Sequence, residues 1–276
     1  VKTVLEVIQA TTVFLDKHNV ESPRLNTEHL VAHALGKKRI ELYMEFDRTL
    51  GEEQLAPLRE LVRKRAAGRP LQHLLGSVEF HGRAFLIDHR ALIPRPETEQ
   101  LVELTLKTPF AGTVLDVGTG SGVIALTLAA EWPHAEVHAV DLSPDALSLA
   151  EENAARLGLR ERVRFFQSDL LDGVEGHYDL IIANLPYIAS DELPKLSREV
   201  QHDPRMALDG GAEGMDLIAR LIAQAGDHLN AGGRLALEIG HDQAAAVGAL
   251  LREKYSDIKV GSDYHGVGRF VFATYG

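Results

Sequence analysis

The chain has 276 residues, 45% hydrophobic and 25% charged, which suits two unequal domains at ~100–200 residues each and rules out wholesale disorder. Cysteine is absent, which excludes disulfides, thiolate metal sites, iron–sulfur clusters and a cysteine nucleophile, and fits a reducing cytoplasm. Acidic residues outnumber basic ones, 40 to 29, a formal net charge of −11, so the chain as a whole lacks the basic field that binding to nucleic-acid phosphates calls for.

Residues 1–20 mix apolar positions with Lys2, Glu6, Asp16 and Lys17, so they are not read as a signal peptide, and no apolar run is long enough to span a membrane. Residues 1–75 read as a helical domain. Val4, Leu5, Ile8, Phe14 and Leu15 have helical spacing. Ser22-Pro23 opens a second helix that stops near Gly36, and a third runs from Glu52 to Gly68, with Pro70 beyond. Arg63, Lys64 and Arg65 sit at the end of that helix, where the dipole favours cations, and read as a solvated helix end. Over 76–92 the period changes: Val78, Phe80, Phe85 and Ile87 alternate around His81-Gly82, predicting a β-hairpin linker. Pro94-Arg-Pro-Glu-Thr-Glu99 then gives a stiff loop and an acidic helix start.

From 93 to 276 the chain reads as a second, catalytic domain, in which strand and helix alternate. Strands are predicted at 113–117, 136–141, 162–168, 178–183, 234–239, 258–263 and 269–274, and helices at 121–131, 144–157, 213–229 and 242–254. This is a doubly wound α/β pattern with a mainly parallel sheet. The last two strands are joined only by His265-Gly-Val-Gly268, too short for a parallel crossover, so they are expected to be antiparallel.

Val114-Leu-Asp-Val-Gly-Thr-Gly-Ser-Gly122 is a strand running into a glycine turn and then a helix. Glycines fall at 118, 120 and 122, and the sixth position of a dinucleotide fingerprint is Val123; no Gly-Lys-Ser/Thr follows, so this is no P-loop. Asp116, Asp141 and Asp169 close three successive strands, at the carboxyl ends where such sheets bind ligands. Asp141 can accept both hydroxyls of a ribose, and Asp169 can reach an adenine amino group. A carboxylate-lined cleft suits a cationic sulfonium better than a pyrophosphate, which points to S-adenosyl-L-methionine. With these residues the sequence resembles class I methyltransferases. That resemblance implies the strand order 3-2-1-4-5-7-6 with an antiparallel strand 7.

The fourth strand runs into Asn184-Leu185-Pro186-Tyr187, which resembles the (Asn/Asp/Ser)-Pro-Pro-(Tyr/Phe) motif of methyltransferases acting on planar, conjugated nitrogens. Such a nitrogen shares its lone pair with a π-system and is a poor nucleophile, so positioning carries much of the catalysis. The Asn184 side-chain oxygen and the Leu185 carbonyl can accept the two N–H bonds and stabilise developing positive charge. Pro186 stiffens the turn and Tyr187 can pack on the flat group. These four residues leave three substrates open: glutamine in a protein, adenine in DNA and adenine in RNA.

Other segments resemble the protein-(glutamine-N5) methyltransferases of the HemK/PrmC family: Gln72-His-Leu-Leu-Gly76, Phe80-His-Gly82, Pro94 to Glu99, Asp203-Pro-Arg-Met-Ala-Leu208, Gly210-Gly-Ala-Glu-Gly214, Gly232-Gly233, Leu237-Glu-Ile-Gly240 and Gln243. The resemblance covers nearly the whole chain. It implies methyl transfer from S-adenosyl-L-methionine to the glutamine of the Gly-Gly-Gln motif of peptide-chain release factors, leaving S-adenosyl-L-homocysteine. It also implies cofactor binding by Gly118, Thr119, Gly120, Ser121, Gly122, Asp141, Asp169, Leu170 and Asn184, with Asn184 to Tyr187 as the catalytic and substrate-binding residues. The helical domain would recognise the release factor, because all the chemistry lies after Pro94. A cytoplasmic monomer is expected, with no direct nucleic-acid or membrane partner. The alternative is an adenine-N6 methyltransferase on rRNA or DNA, and a third reading is a binder with a vestigial cofactor fold. No metal is expected: His29 and His33 are four apart, but Leu30 stands where the zincin pattern needs Glu.

Overall fold

A computed structural model describes residues 2–276 and divides the chain into two compact units. The first runs to Ser77 and takes in Ser197–His202; the second comprises Val78–Leu196 and Asp203–Gly276.

In the first unit, β1 (Lys2–Thr3) leads into α1 (Val4–Lys17), followed by α2 (Pro23–Ala34), a 3-10 segment Arg39–Met44, β2 (Thr49–Leu50), α3 (Glu52–Ala66) and α4 (Leu71–Leu75). Thr3 and Glu6 form a capping box on α1, each side chain bonding the other's backbone N–H, and Pro23 opens α2. Val4, Ile8, Leu15, Leu30, Leu42 and Leu58 make its core. The 3-10 segment, α4 and the two-residue β1–β2 pair are too short to carry a period in the sequence. The basic end of α3 departs from the expected solvated face. Arg65 is only 3% exposed, donates to Asn26 Oδ1 (2.7 Å) and to the Arg69 carbonyl (3.2 Å), and pairs with Glu199. A buried guanidinium needs all these acceptors.

The second unit starts with a hairpin, β3 (Ser77–Phe80) and β4 (Arg83–Leu86), whose first residue marks the unit boundary. His81 and Gly82 both take positive φ (48° and 71°), the signature of a two-residue primed turn. Then come α5 (Pro96–Leu106), β5 (Thr113–Val117), α6 (Val123–Glu131), β6 (Glu136–Asp141), α7 (Pro144–Arg156), β7 (Val163–Gln167), β8 (Tyr178–Asn184), α8 (Asp216–Ala225), β9 (Leu229–Glu238), α9 (Ala244–Leu251), β10 (Tyr255–Ser262) and β11 (Gly268–Tyr275). The seven-stranded sheet has the order β10-β11-β9-β8-β5-β6-β7, with β11 antiparallel to both neighbours. Counted along the sheet, this is the 3-2-1-4-5-7-6 order of a class I methyltransferase fold.

Successive strand residues enter opposite cores. Leu180 and Ile182 face α5, α6 and the hairpin's Phe80 and Phe85, while Ile181 and Ala183 face α8 and α9. Burial on both faces is why these strands read as unbroken apolar runs. β9 begins five residues before the expected strand, at Leu229, because Tyr178 pairs with Leu229 across a register shift. No helix among the described residues is long and apolar enough to cross a membrane.

Candidate active site

The carboxyl ends of the central parallel strands open into a cleft of about 1060 Å³, counted to its mouth. Gly118, Thr119, Gly120 and Ser121 line it, together with Asp141 at the end of β6, Asp169 just past β7, Asn184 at the end of β8, and Leu185 and Pro186 after it.

The glycine loop is held by backbone and carboxylate contacts. Gly118 and Thr119 donate to the Val140 carbonyl (2.9 Å each), and Gly120 N–H donates to Asp141 Oδ2 (2.8 Å). Gly118 (φ 74°) needs its missing Cβ, which would sit 2.9 Å from the Leu185 side chain. Asp141 Oδ1 accepts from Ser143 N–H (2.9 Å), and burial, outweighing these bonds, raises its pKa.

Three of the expected positions are placed differently from the rest. Gly122 does not line the cleft. It caps α6 at φ 83°, and a Cβ there would lie 3.1 Å from Ala150, so its glycine serves helix packing. Asp116 is fully buried below the loop. It accepts from the Thr119 hydroxyl (2.7 Å) and Ala125 N–H (3.1 Å) through Oδ2, while Oδ1 has no partner, and burial pushes its pKa up to about 7. It ties the strand end to α6 and leaves Asp141 and Asp169 as the carboxylates of the cleft. Tyr187 turns from the cleft toward Glu238, its hydroxyl 3.5 Å from Oε1, and burial raises its pKa.

Leu170 lines the cleft with φ at 53°, a conformation rare for a bulky residue. With Leu142 and Ala146 it adds apolar lining to the cleft, which suits a flat base. Asp169 is paired with Arg220 (3.2 Å), a partner no motif announced.

Asn184 donates its Nδ2 hydrogen to Thr98 Oγ1 (2.8 Å), and Thr98 donates to Glu238 Oε2 (2.7 Å). Parallel β8–β9 register sets Asn184 beside Glu238. Behind the loop, Gln243 Nε2 bonds both the Tyr187 and Gly214 carbonyls (3.0 Å each), and its Oε1 accepts from Gly240 N–H (2.8 Å). Asn153, fully buried, bonds Leu86 N–H (2.6 Å), the Leu86 carbonyl (3.1 Å) and the Ser121 carbonyl (2.9 Å), joining hairpin, glycine loop and α7. One signal for Glu238 was available: a carboxylate inside an apolar strand end requires a partner. Thr98 and Gln243 stand in segments that carry the family resemblance, with no role given to them there, and Asn153 stands in none.

A phosphate-bearing ligand fits this cleft poorly. No lysine lines it, and its one arginine, Arg90, is committed to Asp88 (2.8 Å) and Glu152 (2.6 Å). A carboxylate for ribose hydroxyls, an apolar shelf and a bare glycine wall fit S-adenosyl-L-methionine. Fold and cleft together define a class I S-adenosyl-L-methionine-dependent methyltransferase.

Residues 6–76 match the family described as the PrmC N-terminal domain, and residues 97–213 the methyltransferase small domain. A release factor glutamine methyltransferase of Geobacter sulfurreducens is 42% identical, covering 98% of this chain and 95% of its own length. That of Rhodopirellula baltica is 43% identical over 96% and 93%. The chain belongs to the release factor glutamine methyltransferase family. Among solved structures, a methyltransferase from Pyrococcus furiosus shares the fold, with a TM-score of 0.54 at 20% identity over 82% of this chain and 98% of that one. So does the T. thermophilus 16S rRNA N2 G1207 methyltransferase, with a TM-score of 0.54 at 19% identity over 72% and 50%.

Proposed function

We propose that this chain methylates the side-chain amide nitrogen (N5) of the glutamine in the Gly-Gly-Gln motif of peptide-chain release factors. The observation that carries this is Asn184: its carboxamide and Leu185 line the same cleft as Gly118 and Asp141, with Nδ2 held by Thr98, so Oδ1 remains an acceptor. When bound, S-adenosyl-L-methionine supplies an electrophilic methyl group on a positively charged sulfur and leaves as S-adenosyl-L-homocysteine. Gly118 to Ser121, Asp141, Asp169 and Leu170 hold it. Asn184 Oδ1 and the Leu185 carbonyl accept hydrogen bonds from the two N–H groups of the glutamine, which turns the nitrogen lone pair toward the methyl group; as the N–C bond forms the S–C bond breaks, and the cationic nitrogen then gives one proton to water. The first unit recognises the release factor. The net charge of −11 fits a protein partner rather than nucleic acid. A single copy supplies every residue of the cleft, so the reading needs only a monomer acting in the cytoplasm, where translation ends.

Incubation with labelled cofactor and, separately, release factor, duplex DNA and ribosomal RNA tests the reading. Label is expected in the release-factor glutamine. Label only in nucleic acid would sink it, and no label in any of the three would point to binding alone.

Asp141→Ala is expected to weaken cofactor binding at least ~10-fold, because a hydrogen bond to a charged group is worth ~1.5–3 kcal/mol. The loss also releases Gly120 N–H. Calorimetric titration with unchanged affinity would remove Asp141 from the site.

A further inference from the structure

We propose that Thr98 and Glu238 are positioning residues that set the polarity of the Asn184 carboxamide, so that its oxygen and not its NH2 group faces the substrate amide. The inference rests on the glutamine-methylation reading above. An ionised carboxylate only accepts hydrogen bonds, and a threonine hydroxyl has one proton to give. Glu238 Oε2, 2.7 Å from Thr98 Oγ1, accepts the hydrogen bond that this proton makes. Thr98 Oγ1 can then only accept from Asn184, 2.8 Å away, so the group of Asn184 facing it must be Nδ2. Oδ1 is thereby turned to the other side, where an N–H donor is to be held. A free asparagine could present either end, and a substrate amide offers a carbonyl as well as an NH2 group. The wrong end would bind the glutamine carbonyl and misdirect the nitrogen. The relay therefore does two things: it orients Asn184 and it discriminates between the two ends of the incoming amide.

The parts are rigid. Thr98 is 3% and Glu238 1% exposed, Thr98 lies in the first turn of α5, and Glu238 is the register partner of Asn184 at the end of β9. The charged and titratable groups facing Glu238 are Glu97 of α5, which raises its pKa, and Arg269 of β11, which lowers it, with the Tyr187 hydroxyl on Oε1. Burial is the largest influence and pushes the carboxyl up to about 7. Protonated Glu238 could donate to Thr98, which would let Thr98 donate to Asn184 and admit the inverted carboxamide. The active polarity needs the ionised form, so methyl transfer should fall as pH drops below about 7.

Three measurements on the full chain test this: single-turnover methyl transfer to release factor across pH, cofactor affinity, and NMR of the Asn184 side-chain NH2 resonances without cofactor. Thr98→Val, which keeps shape but not the hydroxyl, is expected to lose about ten-fold or more in rate with cofactor affinity little changed. Thr98→Ser should restore most of the rate. In wild type the Asn184 resonances and the rate should follow one titration near pH 7, and both dependences should vanish in Thr98→Val. Wild-type activity in Thr98→Val, equal losses in Val and Ser, or an acid limb that survives in Thr98→Val would each overturn the proposal. If wild type modifies no glutamine, the functional reading fails instead. The NMR spectra still decide the relay: Asn184 NH2 resonances that are the same in wild type and Thr98→Val would reject it, and resonances that shift in Thr98→Val and return in Thr98→Ser would uphold it.

Discussion

Asn184→Ala is expected to reduce methyl transfer by ~10²-fold or more, comparable with losing one preorganised catalytic hydrogen bond. The substitution removes one of two acceptors and leaves the Leu185 carbonyl, so the amide nitrogen can still enter the cleft but is no longer turned to the methyl group. Cofactor affinity should change far less, because Gly118 to Ser121, Asp141 and Leu170 remain. A general base would predict a different residue. Asp191 and Glu192 follow the motif, but both are exposed and Glu192 is paired with Lys195 at 2.5 Å. The nearby buried carboxylate, Glu238, is bonded to Thr98. Single-turnover rates on a release factor check the expectation, and near wild-type turnover in Asn184→Ala would end the orientation mechanism.

Gly214→Ala should be as damaging to activity while leaving all the cleft's side chains in the sequence. A Cβ at Gly214 would lie 2.3 Å from the Tyr187 carbonyl oxygen and 3.0 Å from Gln243 Nε2. The obstacle is backbone, so relief must come from moving the catalytic loop or breaking the Gln243 bonds that hold it. Displacing a reacting group by ~1 Å can cost ~10²-fold in rate. The residue also has φ at 71°, where a side chain is strained. Gly266→Ala separates the two effects. It shares a positive φ, 81°, in the β10–β11 turn, but its Cβ would meet nothing within 4 Å. It should lower the melting temperature slightly and keep full turnover. Equal activity losses in the two variants would mean that the clash is irrelevant. Gly210 works alongside Gly214: its Cβ would stand 2.7 Å from the Pro186 carbonyl, so the glycine-rich segment 210–214 is the floor on which the catalytic loop rests.

The order of the elements and the location of the cleft were legible in the sequence, because both depend on signals that are local in the chain. Strands buried on both faces show as apolar runs, the helices between them show the longer period, and the glycine turn after β5 and Asn184-Leu-Pro-Tyr187 after β8 mark strand ends directly. Parallel pairing of β5 with β6 and β8 then brings those ends to one edge, so the cleft followed from the element order. Chain position could not separate Asp116 from Asp141. Both end strands before turns, and only the packing of α6 buries the first and leaves the second facing the cleft. Nor could helix spacing tell Arg65 from its exposed neighbours, since its acceptor Asn26 lies 39 residues away.

The polarity of the site was decided by tertiary structure alone. Thr98 bonds Asn184 across 86 residues and Glu238 across 140, and Gln243 reaches Tyr187 across 56. Hydrogen bonds act over ~3 Å and carry no imprint along the chain. By itself the sequence determined which groups line the strand ends; the fold decided which partner holds each of them.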